Sequence, residues 1–287
     1  MAVWNIGTYS KSITESSKCV LIEILRILGS YRQYLVLTGG WAPYFILEKS
    51  GEKDQHCGSI DIDFVLNPCL IDLKVYETIV SSIEKRGYKP YVADDGEVLP
   101  YRFYRSVKLP LDDAEYKIEV DFISEPDVVK RLSPEKFLAV QKDLQAVVIR
   151  GSSVVFSHNF EHEIEGFLPN GAETKVLASV SDVVGSLATK GLALKGRYKE
   201  KDPYDIYFVL THFRGGPTKV AEKMRGFVNE SIVAEALEEI REKFRTVRSE
   251  GPFQVAYFLA PEDERLRERI QGEAYAVLRT FFDGLKK

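Results

Sequence analysis

Cysteine is scarce in this chain. Three residues, Cys19, Cys57 and Cys69, among 287 are too few for a disulfide framework and suit a reducing cytoplasm. Long apolar runs are missing too. The longest early one, 19–28, is broken by Glu23 and Arg26 and reads as an amphipathic helix rather than a membrane span. Residues 1–18 lack the basic-then-apolar build of a secretion signal. The sequence has no internal repeat, no low-complexity segment, no Walker A or dinucleotide fingerprint, and no nucleophile-elbow serine. A net charge of −4 gives no global pull toward nucleic acid and leaves only local basic patches for such a role. What remains is an ordinary globular composition, long enough for one large domain or two modest ones.

The pattern of apolar residues predicts an α+β chain. A helix is expected over about 11–29, a strand over 33–38, and a short helix over 41–49 with Pro43 in its first turn. A strand over 60–66 and a helix near 70–86 follow. Alternating segments come next at 100–108, 115–123, 144–150, 153–156 and 163–168, and Pro169-Asn170-Gly171 signals a turn. From about 175 the pattern becomes helical. Asp182 can cap a helix to about 196, another runs from Pro203 to His212, and Arg214-Gly215-Gly216-Pro217 breaks the chain. Two more helices are expected over 231–249 and from Pro261 onward. A boundary near 170 separates residues 1–170 from a helical region, 171–287.

One segment carries chemistry. In the strand 60–66, Asp61 and Asp63 share a face opposite Ile60, Ile62 and Phe64. Two carboxylates at that spacing, roughly 6–7 Å, repel unless a cation or donors lie between them. A hard divalent ion with oxygen ligands suits them. Apolar flanks argue for a buried strand, where charge needs a partner. Upstream, Gly39-Gly40 joins a strand to a helix and permits close backbone approach to a phosphate. Ser59 adds a hydroxyl just before the acidic pair. A third carboxylate is expected from the strand 117–123, with Asp121 the first candidate and Glu119, on the same face, its rival.

Gly39-Gly40, Asp61-x-Asp63 and a later strand carboxylate, Asp121, together resemble the signature of the DNA polymerase β-like nucleotidyltransferase superfamily. The stretch from Lys190 through Arg197, Lys199 and Lys201 to Asp202 and Asp205 resembles a motif of its AbiEii/AbiGii-type toxin branch. The resemblance covers roughly 35–210 in separate blocks. It implies a nucleotidyltransferase fold, a small mixed sheet flanked by helices and followed by a helical C-terminal region. It also implies Mg²⁺-dependent transfer of a nucleoside monophosphate from an NTP to an acceptor. Two Mg²⁺ ions would sit on Asp61, Asp63 and Asp121. Gly39, Gly40 and Ser59 would hold the triphosphate, Lys190 would neutralise it, and Arg197, Asp202 and Asp205 would support the pocket. RNA, a small molecule or a protein is the implied acceptor, and an antitoxin protein is an implied partner. The chain departs from the branch in carrying Cys57-Gly58-Ser59, after His56, where an Arg-x-Thr is usual.

Other readings stand beside this one. His158, Glu161 and His162 match the His-x-x-Glu-His pattern of zinc peptidases, which needs a helix to bring both histidines to one face. A non-catalytic nucleotide-binding or partner-binding protein would bind NTP without turnover. The basic run 190–201 also reads as a solvated turn between helices, with Asp202 as the cap of the second. His56 reads as an exposed loop histidine or a substrate ligand.

Overall fold

A computed structural model describes residues 5–52, 56–67, 73–108, 114–125, 137–139, 145–196 and 198–286. Among them, nine strands build one mixed sheet. They are β1 (Leu35–Thr38), β2 (Asp61–Leu66), β3 (Lys89–Val92), β4 (Val98–Lys108), β5 (Glu115–Ser124), β6 (Phe137–Ala139), β7 (Gln145–Val148), β8 (Asn159–Phe167) and β9 (Glu173–Ser181). The main order is β3-β4-β5-β2-β1-β9-β8, with β7 also on β5 and β6 on β7. β2 runs parallel to β5 and β1 parallel to β9, while β1–β2, β3–β4, β4–β5 and β8–β9 are antiparallel. The protein is thus α+β, with a sheet larger than the small one expected.

The chain divides into two compact units. Lys11–Trp41 and Ser59–Ser181 form a sheet unit; Met1–Ser10, Ala42–Gly58 and Asp182–Lys287 form a helical unit. In the sheet unit, helix α1 (Lys11–Ile27) buries Val20, Leu21, Ile24 and Leu25. It lies on the sheet face that carries Ile62, Phe64, Phe103, Val120 and Phe122, and Arg105 reaches it through an ion pair to Glu23 at 3.2 Å. Burial of each such large apolar side chain stabilises the unit by about 1.5–3 kcal/mol. Helix α3 (Leu73–Glu84) adds Ile79 and Ile83 to the buried set. On the opposite face, Val36, Val65, Ile123 and Val155 form a smaller core, and the 3-10 turn Ser152–Phe156 supplies Val155. That cluster occupies one end of the face. Polar residues occupy the other.

The helical unit holds most of α2 (Trp41–Ser50), and α4 (Val183–Gly196), α5 (Lys201–His212), α6 (Gly216–Met224), α7 (Ser231–Lys243), α8 (Glu250–Leu259) and α9 (Glu264–Leu285). α4 packs against α7 and α5, and α9 against α8 and α6. Gly191 allows the first contact, since a Cβ there would sit 2.7 Å from the Ala236 carbonyl oxygen. Asp182 caps α4 as expected, accepting the N–H groups of Val184 and Gly185 at 2.8 and 3.0 Å.

Several expectations are revised. Residues 152–156 form a 3-10 turn, not a strand. Residues 173–181, expected as the approach to a helix, form β9, which pairs with both β8 and β1. The expected boundary near 170 therefore falls inside the β8–β9 hairpin, whereas the division lies at Ser181/Asp182 and places 42–58 with the helices. Helices α6 and α8 were not expected. Among the described residues, no helix is long and apolar enough to cross a membrane.

Candidate functional site

Register decides what the acidic residues meet. β2 and β5 pair Asp61 with Glu119 and Asp63 with Asp121. β1 places Thr38 opposite Asp63, and β4 places Arg102 opposite Asp121 and Tyr104 opposite Glu119. Paired residues share a sheet face. One row therefore reads Thr38, Asp63, Asp121, Arg102, and the next Asp61, Glu119, Tyr104. All four carboxylates lie at the polar end of the face whose other end is the Val36–Val65–Ile123 core. The sequence places Asp61 and Asp63 together because they share one strand, and the sheet adds the two from β5.

Gly39 meets this row through its backbone. Its φ is +65°, and a Cβ built there would fall 1.8 Å from Asp63 Oδ2. Only glycine lets the Asp63 carboxylate lie against the turn. Gly40 completes that turn before α2. Ser59 donates its hydroxyl to Asp61 Oδ1 at 2.5 Å.

Arg102 is the residue that sequence reasoning missed. Its Nε and Nη2 donate to Asp121 Oδ1 and Oδ2 at 2.7 and 2.6 Å, and Nη1 lies 2.7 Å from Glu119 Oε2. Such a bidentate fork is the strong form of the arginine–carboxylate pair. The guanidinium also lies over the rings of Tyr91 and Tyr101, at 5.4 and 5.9 Å. Burial works against the Arg102 charge, but the Asp121 and Glu119 carboxylates outweigh it and raise its pKa. Burial raises the Glu119 carboxyl; Arg102 opposes this, and Asp121 and Asp61 push further upward. Alternation along β4 puts Arg102 on the polar face, but its partner could be known only from the β4–β5 register.

Hard carboxylate oxygens on Asp61 and Asp63 suit Mg²⁺. Asp121, expected as the third ligand, has both oxygens engaged by Arg102. Among the described residues, no group of three or more His, Cys, Asp or Glu side chains is gathered to hold a metal ion. A metal ion on Asp121 would have to displace the Arg102 guanidinium, whereas the Asp61 and Asp63 carboxylates offer the hard oxygens such an ion takes.

The second group of expected site residues lies in the helical unit and forms a buried network. Lys190 Nζ pairs with Asp202 Oδ1 at 2.9 Å and Asp205 Oδ2 at 2.6 Å, and Lys201 Nζ pairs with Asp205 Oδ1 at 2.8 Å. His56 Nδ1 accepts the Gly58 N–H at 3.1 Å, so the neutral ring carries its proton on Nε2 and donates it to Asp205 Oδ1 at 2.8 Å. The Asp205 side chain is 0 % exposed and Lys190 9 %. Two ammonium groups balance two carboxylates, as burial requires. Burial lowers the His56 pKa to about 4, helped by the Lys201 charge and opposed by Asp205. Burial alone would raise the Asp205 carboxyl, but Lys190, Lys201 and the His56 N–H together hold it well below the ordinary range.

These positions correct three expectations. His56 is buried, stacked on Tyr204 at 5.2 Å, rather than exposed in a loop. Asp202 lies inside the first turn of α5, paired with Lys190, while Glu200 occupies the cap position. The basic run is solvated only in part. Lys195 is exposed, whereas Lys190 and Lys201 are enclosed. Lys190 was expected to neutralise a triphosphate; a phosphate would have to displace one of its two carboxylates. Arg197 lies outside the described residues.

The zinc-peptidase pattern loses its helix. Glu161 and His162 are consecutive residues of β8, so their side chains leave on opposite faces. His158 is buried before the strand begins, and Glu161 pairs with Arg32 at 3.2 Å. No protein-family model matches the chain, and no curated protein matches it by sequence.

Proposed function

We propose that the chain is a divalent-metal-dependent nucleotidyltransferase of nucleotidyltransferase fold, with its chemistry on the carboxylate face of β2 and β5. The carrying observation is the in-register pairing of Asp61 with Glu119 and Asp63 with Asp121, beside a glycine turn with no room for a side chain. The resemblance of Gly39-Gly40 and Asp61-x-Asp63 to the polymerase β-like signature supports the same reading.

Asp61 and Asp63 would hold the ion, with Ser59 fixing the Asp61 carboxylate. When bound, such an ion neutralises phosphate charge and lowers the pKa of a hydroxyl nucleophile. The backbone N–H groups of the Gly39-Gly40 turn donate to phosphate oxygens of the NTP. Arg102 engages both Asp121 oxygens and reaches Glu119 through Oε2, so proton acceptance is assigned to Glu119, whose carboxyl burial raises toward what a general base at neutral pH needs. The acceptor oxygen attacks the α-phosphorus, the bond to the β-phosphate oxygen breaks, and pyrophosphate leaves with the electron pair. The Lys190–Asp202–Asp205–His56 network is assigned a structural part, tying the 56–58 loop to α4 and α5.

Incubation with each α-labelled NTP and Mg²⁺, against total RNA, a polyhydroxylated small molecule and the chain itself, tests this. Label in one acceptor fraction is expected. NTP binding with no label transferred to any acceptor would make the chain a non-catalytic nucleotide-binding protein and end the proposal.

A further inference from the structure

We propose that Arg102 is a built-in counter-ion that limits the carboxylate face to a single divalent ion, held by Asp61 and Asp63. This rests on the reading above that the face binds a divalent ion, and it changes what that site can hold.

Three observations carry it. First, the Arg102 guanidinium spends all three of its nitrogens on the two β5 carboxylates, at 2.6–2.7 Å, including both oxygens of Asp121. An ion seeking Asp121 would have to break two charge-assisted bonds. Second, Arg102 cannot easily turn aside. It stands directly opposite Asp121 in the β4–β5 ladder, and the Tyr91 and Tyr101 rings flank its guanidinium. A surface arginine at a loop tip would have neither restraint. Third, both β5 carboxylates, Glu119 and Asp121, bond to Arg102, while on β2 the Ser59 hydroxyl donates to Asp61 and the bare Gly39 backbone leaves room for Asp63. A permanently attached +1 charge thus does at Asp121 what a second ion would otherwise do, balancing carboxylate repulsion. Arg102 is a positioning residue in this scheme, since it acts through Asp121 and Glu119.

Titration of the full chain with Mn²⁺, counted by the loss of the free-ion electron-spin signal, reads the stoichiometry directly. One Mn²⁺ per chain is expected for the wild type, one for Asp121→Asn, and two for Arg102→Gln. Two in the wild type, or one in a folded Arg102→Gln variant, would overturn the role of Arg102 and leave the transfer reading standing. None in either would remove the ion from this face and take both readings with it. If near-ultraviolet circular dichroism shows Arg102→Gln unfolded, the other two counts decide. An ion bound by the wild type but lost from Asp121→Asn would make Asp121 a ligand and overturn the proposal, and one ion in both sustains it.

Discussion

On the carboxylate face the Asp63 side chain fills the space where a side chain at position 39 would lie, so that carboxylate meets bare backbone. Alanine at position 39 meets two obstacles: a φ of +65°, and a carboxylate oxygen 1.8 Å from where its Cβ would lie. The left-handed backbone alone costs about 1 kcal/mol, and displacement of Asp63 adds to it. Gly39→Ala is expected to lower the urea midpoint by an amount worth roughly 1–3 kcal/mol and to cut transfer at least tenfold. An unchanged midpoint would show that the turn is not tight. At this scale the sequence was half legible. Asp61 and Asp63 announce themselves because i and i+2 of a strand need no register to share a face. Arg102 does not, because its meaning lies in a partner 19 residues away across a ladder. His56 misled for a related reason: a histidine in the polar stretch 50–59 looks exposed, and its partner Asp205 is 149 residues distant.

Among the elements, α4, α5 and the 56–58 loop are joined by the buried network, and its pH dependence can be worked out. The His56 pKa is about 4 in the fold against an ordinary 6.5. As pH falls below 6.5, the unfolded chain takes up a proton before the folded chain does, so stability drops between pH 6.5 and 4 and is fully present above 6.5. The amount is about 3 kcal/mol. His56→Gln, which still donates to Asp205, is expected to flatten the dependence of the thermal midpoint across that interval. A slope identical to the wild type would contradict the buried neutral ring. Element prediction failed mainly at β9. Val176, Ala178 and Val180 alternate as a strand should and are buried, but only Ser181 and Asp182 separate Val180 from the apolar sequence of α4. A period of two followed by a period of 3.6 reads as one helical stretch unless the turn at Asp182 is given weight.

For the molecule as a whole, chain order and spatial grouping diverge. The path passes from the helical unit to the sheet unit at Ser10/Lys11, back at Trp41/Ala42, out again at Gly58/Ser59, and returns at Ser181/Asp182. A single cut in the sequence cannot separate such units, which is why the α+β class was legible but the division was not. The fragment 1–170 lacks β9, the strand between β1 and β8. It would leave β1 and β8 without their shared partner. This fragment is expected to be insoluble or to lack the dispersed amide spectrum of a folded sheet; a well-dispersed spectrum would contradict the strand order. The central claim is that the β2–β5 carboxylates transfer a nucleoside monophosphate, and pyrophosphate release from NTP and Mg²⁺ in the presence of acceptor measures it most directly. The wild type is expected to release pyrophosphate in step with label transfer, and Asp63→Asn, with an unchanged circular dichroism spectrum, to fall by at least a hundredfold. Release by Asp63→Asn at the wild-type rate would contradict the account.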